Sequence, residues 1–174
     1  MIQNTIQYMR NALNQYLIAT FNLDETIVIA NRIVDQQGVM PIENNNKVVL
    51  SLIHVKPEDV KLFKTKSDRL SKENHLAHSS PEQYSIYMLV TSSFDDYNET
   101  LKFLDTSMSF FKKNPVIDRN TVTNFPDTID KLYVEYQHGE DYMQVQNVWT
   151  TMGARYQPSV IYKIRLLTAA SKEV

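Results

Sequence analysis

The stretch Asn147–Leu167, NVWTTMGARYQPSVIYKIRLL, decides how this chain is folded. It holds the only Trp of the sequence, one of three Gly and one of six Pro, and then a run of alternating character. Val148, Trp149 and Met152, with Val145 before them, fall on one face of a helix expected over about 140–152. Gly153 stands where a left-handed residue stops a helix. Pro158 keeps the chain extended, and residues 160–167 read as a strand in which Tyr162, Ile164 and Leu166 oppose Lys163 and Arg165. A helix, a tight corner and a returning strand are therefore packed into twenty-one residues. Trp149, Gly153 and Pro158 are structural residues in this reading.

Working outward, Asp130–Gln137 alternates as a half-buried strand, and 116–117 is a candidate short strand. Before it, Asp96 and Glu99 are spaced as a capping box for a helix that closes at Asn114-Pro115. Lys112 and Lys113 favour the negative end of that helix. Its stripe of Tyr97, Leu101, Leu104, Met108 and Phe111 is widened by Phe103 and Phe110 beyond what one sheet face is expected to cover. KVVLSLIHV (47–55) and QYSIYMLVT (83–91) are apolar on both faces, hence central strands. TIVIAN (26–31) is a shorter strand, and Ile2, Ile6, Met9, Leu13, Tyr16 and Leu17 mark an amphipathic helix over about 2–20. The expectation is an α+β fold, one mixed or antiparallel sheet of about four to five strands flanked by about three helices. It forms a single domain over 1–174, with a polar excursion at about 56–83.

Composition removes several kinds of chemistry. No Cys is present, so disulfides, thiolate metal sites and Cys nucleophiles are excluded. The three glycines, at 38, 139 and 153, are too far apart to build a phosphate-cradling loop. A formal charge of −2 attracts no polyanion, and ten Tyr without a basic surface do not make a nucleic-acid platform. The longest apolar run, Ile86–Val90, is far short of the ~20 residues a membrane helix needs, and a secretory signal is not expected.

Of the four histidines, His75 and His78 lie three apart near Glu73, but no further ligands accompany them in a segment of mixed charge. His54 is mid-strand and reads as a core or edge histidine; the fourth is His138. Asp95-Asp96 is explained by helix-start chemistry, and Ser159 lacks a nucleophile elbow. No catalytic, cofactor or metal residue is assigned. Lys163 and Arg165 are open to two readings, a solvated outer face or a salt-bridging rim for a partner at the sheet edge.

Trp149–Arg165, of pattern W-x-x-x-G-A-x-Y-x-P-S-x-x-Y-K-x-R, and Ser109–Pro115, S-F-F-x-x-N-P, carry a resemblance that extends over nearly the whole chain. The sequence resembles the N-terminal domain of tube-terminator or cap proteins of extracellular contractile injection systems, of the antifeeding prophage and Photorhabdus virulence cassette type. That resemblance implies a tail-terminator-like fold and a non-enzymatic protein in a ring, expected to be a hexamer. The ring would cap the distal end of the inner tube, touch the last sheath layer and stop growth. Its partners would be itself, the tube protein and the sheath protein, with no nucleic acid or membrane. Assembly would be cytoplasmic, followed by residence in a phage tail-like particle. Phe103, Phe110 and Phe111, with Lys163 and Arg165, are the expected interface. Longer members of the family continue past this domain. The competing readings are a baseplate or effector-loading adaptor of the same particle, and an unrelated small-ligand-binding α+β domain.

Overall fold

The computed structural model describes residues 1–57, 83–119, 125–127, 129–137 and 142–168. Most of the polar excursion, together with His75, His78 and His138, lies outside them. In chain order the elements are α1 (Ile2–Phe21), β1 (Val28–Ala30), β2 (Lys47–Pro57), β3 (Gln83–Ser93), α2 (Tyr97–Lys113), β4 (Val116–Asp118), β5 (Ile129–Tyr136), α3 (Tyr142–Met152) and β6 (Ser159–Thr168). A short 3₁₀ turn at Ile42–Asn44 interrupts the connection between β1 and β2. The strands form one sheet in the order β1-β2-β3-β6-β5-β4, parallel only between β1 and β2. The sheet has one strand more than the four to five expected.

The sheet divides two cores. On one face α1 contributes Met9, Leu13 and Leu17, and α2 contributes Phe103, Leu104, Phe110 and Phe111. They meet Val48, Leu50, Ile86, Met88, Val90, Tyr162, Ile164 and Leu166 from the strands. On the other face Trp149 of α3 packs with Ile33, Val49, Leu89 and Ile161. β2 and β3 are thus apolar on both sides where both sides are covered, whereas β6 alternates beyond Ile161. That is why the sequences of β2 and β3 do not alternate cleanly.

A bulge between Leu52 and His54 adjusts this two-sided pattern. One extra residue reverses the side-chain parity of the strand. Val55 is thereby returned to the α1/α2 core, while His54 is turned to the opposite face, 5.6 Å from the Tyr87 ring.

Local chemistry fixes the helix ends. Asp96 caps α2 by accepting from the Asn98 amide at 2.8 Å. Glu99, spaced for the other half of the box, holds Lys102 at 3.2 Å instead. Asn114 ends α2, its amide reaching the Phe110 and Phe111 carbonyls. After α3, Gly153 has φ +64° and nothing lies within 4 Å of where a Cβ would stand. Gly153→Ala is therefore opposed by its backbone conformation alone, and the expected loss is about 1 kcal/mol in urea unfolding. A loss several times larger would reveal a steric role for this position.

Candidate functional site

The sequence singled out the broad aromatic face of α2 as a surplus for a partner. The structure corrects this. Phe103, Phe110 and Phe111 are 4%, 7% and 2% exposed. The sheet does not cover them alone, because α1 lies beside α2 and closes the gap with its own rings. Phe21 meets Phe103 at 4.9 Å and Tyr16 meets Phe110 at 5.4 Å, while Phe94 stacks on Phe103 at 4.5 Å. Phe111 rests against Tyr162 at 4.5 Å. The apolar residues that α2 leaves in solvent are Tyr97 and Leu101.

Lys163 and Arg165 also sit elsewhere than the sheet edge. β6 is an interior strand, bonded to β3 on one side and β5 on the other. Both side chains rise from the α3 face of the sheet, beyond the part that Trp149 covers. Arg165 pairs with Glu135 of β5 and lies 5.4 Å from the centre of the Tyr133 ring. Lys131 approaches the same ring at 5.9 Å. Tyr87 and His54 continue the surface toward β2. Lys131, Lys163 and Arg165 outnumber Glu135 here and are interleaved with rings, a composition suited to a partner that brings both flat and polar groups.

A second exposed group was not legible in the sequence. Val39, Ile42 and Tyr156 are 60%, 78% and 69% exposed, on the β1–β2 connection and the α3–β6 corner. The two loops border one cleft and touch through the Gln157 amide and Met40 sulfur at 2.9 Å. The β1–β2 connection is held rigidly. Asp35 accepts from the Gln37 and Val39 amides, and buried Asn44 bonds both Asn31 and the Arg32 carbonyl. Apolar side chains are thus presented on fixed backbone. In sequence they look like ordinary loop residues.

Trp149 and Pro158 each tie down the α3–β6 corner. The Trp149 indole donates to Ser159 Oγ at 3.3 Å, and the Pro158 carbonyl accepts from the Ser92 amide at 3.2 Å. A cleft of about 590 Å³ lies between α2 and β5, lined by Met108, Phe111, Pro115, Val134, Tyr136 and Tyr162 among others. Burial, and secondarily the neighbouring Tyr136, raises the Tyr162 phenol well above its ordinary value. It is held as a neutral group. Among the described residues no three His, Asp or Glu side chains converge as a metal site. No helix among them is long and apolar enough to cross a membrane.

The decisive likeness is to a family model described as the Pvc16 N-terminal domain, which matches residues 4–174. The chain belongs to the Pvc16 N-terminal domain family. The Pvc16-type fold is also found in two solved structures. One is the PVC sheath/tube terminator of an extracellular contractile injection system in its extended state, with a TM-score of 0.57 and 14% identity. That likeness covers 99% of this chain and 57% of the other. The second is the anti-feeding prophage cap, a tube-terminating cap, with a TM-score of 0.52 and 16% identity, over 93% of this chain and 54% of that one. This Pvc16 N-terminal domain therefore spans a little more than half the length of the proteins whose fold it shares. No curated protein matches it.

Proposed function

We propose that this chain is a structural part of a contractile injection particle. It caps the distal end of the inner tube, contacts the last sheath layer and stops further growth. The observation that carries this reading is membership of the Pvc16 N-terminal domain family over residues 4–174. The shared fold with a sheath/tube terminator and a tube-terminating cap supports it. The role is non-enzymatic, and the side chains that matter are those that dock. Subunits join in a ring, taken as six-fold, with tube and sheath proteins as the other partners. Assembly takes place in the cytoplasm before the particle is released or retained by the cell.

Two surfaces are offered for docking. One is the open sheet face of Tyr133, Lys163 and Arg165; the other is the apolar group of Val39, Ile42 and Tyr156 on the two loops. Heterologous contacts between such unlike surfaces close into a ring when the rotation per subunit permits. Arg165 and Glu135 are both about half in solvent, so Arg165→Ala should lower monomer stability by less than about 1 kcal/mol. Its larger effect is expected on incorporation into particles, measured by quantifying the chain in purified assemblies.

The test of the function is imaging of particles from cells that lack this chain. Overlong or uncapped tubes are expected. Particles of normal length and closure reject the proposal, and labelled chain found at the baseplate end instead supports an adaptor.

A further inference from the structure

β1 is an outermost strand of the sheet and would ordinarily present unpaired backbone groups. Its pairing with β2 is parallel, with the Val48 amide donating to the Ile27 carbonyl and the Asn31 amide to the Leu50 carbonyl. Val28, between them, therefore turns its own N–H and C=O away from the sheet. Both of those groups are occupied. Asn14 Oδ1 accepts from the Val28 amide at 3.0 Å and from the Ile27 amide at 2.9 Å. Arg10 Nε donates to the Val28 carbonyl at 3.0 Å.

Arg10 and Asn14 are one helical turn apart on α1, so both face the strand together. Asn14 uses one oxygen for two amides, and Arg10 is steadied by Asn11 Oδ1 at 2.8 Å. Met9, Leu13 and Leu17, buried on the same helix, anchor it against the sheet. The helix thus supplies through two side chains the donor and acceptor that an added strand would bring.

We propose that Arg10 and Asn14 seal the β1 edge against strand addition. A second copy of this chain, or a strand from another protein, finds the Val28 donor and acceptor already taken, which leaves the outward backbone groups of Ala30, two residues on, to pair with. A ring built by continuing one sheet into the next would need each β1 edge to accept a neighbour's strand. With Val28 occupied, an incoming strand keeps only the Ala30 pairing on this three-residue edge, which favours contact between ring neighbours through side-chain surfaces. This consequence rests on the ring in the proposed function, whereas the seal does not.

Amide exchange followed by NMR, together with analytical ultracentrifugation, tests the seal. In the unaltered chain the Val28 amide should be protected like the Val48 amide inside the sheet. The Arg10→Met/Asn14→Leu variant should exchange at Val28 about tenfold faster and gain a concentration-dependent dimer absent from wild type. Asn14→Asp keeps an acceptor oxygen and should retain both protection and wild-type sedimentation. If Val28 of the unaltered chain exchanges as fast as in a free peptide, the seal is refuted, even should the double variant not fold. Faster exchange in the variant with unchanged sedimentation also overturns the proposal, since nothing would then have been kept out. Protection at Val28 in a chain that never forms a ring leaves the seal standing and refutes the ring.

Discussion

Phe111→Ala is expected to lower the free energy of unfolding by about 3–5 kcal/mol, a large part of the ~5–15 kcal/mol that holds a domain of this kind together. The ring is 2% exposed and lies against Tyr162 at 4.5 Å and Phe110 at 5.1 Å. Neither neighbour can fill the space, because both are held by further contacts. Tyr16 packs on Phe110, and Tyr162 is pinned in β6 between β3 and β5. A cavity therefore persists, open to the cleft that Met108, Pro115 and Val134 line. The denaturant midpoint should fall with little change in slope. Leu101→Ala, on the solvent side of the same helix, should cost well under 1 kcal/mol. Were Phe111→Ala to melt like wild type and fail only in assembly, the ring would have to face a partner, contrary to its burial.

The same substitution has a signature in pH. Burial raises the Tyr162 pKa above its ordinary value of 10.0, with Tyr136 adding to the shift. Above that value an unfolded tyrosine has released its proton while folded Tyr162 keeps it. The unfolded state then binds fewer protons, and stability falls as pH rises through the alkaline range. Phe111→Ala admits water beside the phenol and lessens the shift. Its alkaline loss should be shallower than that of wild type.

Phe111 also shows where sequence reasoning stops. The stripe of α2, its Asp96 cap and its end at Asn114 were legible because they depend on neighbours in sequence. The central strands β2 and β3 were legible because apolar residues on both faces require cover on both faces. What covers the surplus aromatic width of α2 was not. Tyr16 and Phe21, which do so, lie on a helix far earlier in the chain, and no local pattern announces that α1 and α2 share a sheet face.

For Lys163 and Arg165 the solvated face was legible and the place of their strand in the sheet was not, for a related reason. Alternating charge reports that one face of a strand is wet, and says nothing about whether the strand has neighbours on both sides. α3 covers only part of its face of the sheet, so an interior strand carries charges that look like those of an edge. Arg10 and Asn14 were hidden among the polar residues of an amphipathic helix. Their role exists only once β1 lies beside them.

Trp149→Ala is expected to remove a comparable amount of packing, yet to act on a smaller part of the molecule. Among the described residues the indole is the one buried α3 side chain, in a core otherwise made by Ile33, Val49, Leu89 and Ile161. Its loss forfeits about 3–5 kcal/mol of local packing and the bond to Ser159. The larger core on the opposite face keeps all its contacts. Undocking of α3 therefore sets a ceiling on the cost, and the variant should open locally before it unfolds globally. Amide exchange in α3 should accelerate by a factor of about a hundred or more, while β3 and α2 remain protected. Trp149→Phe keeps most of the buried area without the indole donor, and should restore most of the α3 protection. In Phe111→Ala protection should instead decline together in α2, β3 and β6, since that ring belongs to the core they share. If Trp149→Ala lowers protection evenly across both faces of the sheet, the two cores are one cooperative unit, and α3 is as necessary to the sheet as α1 and α2.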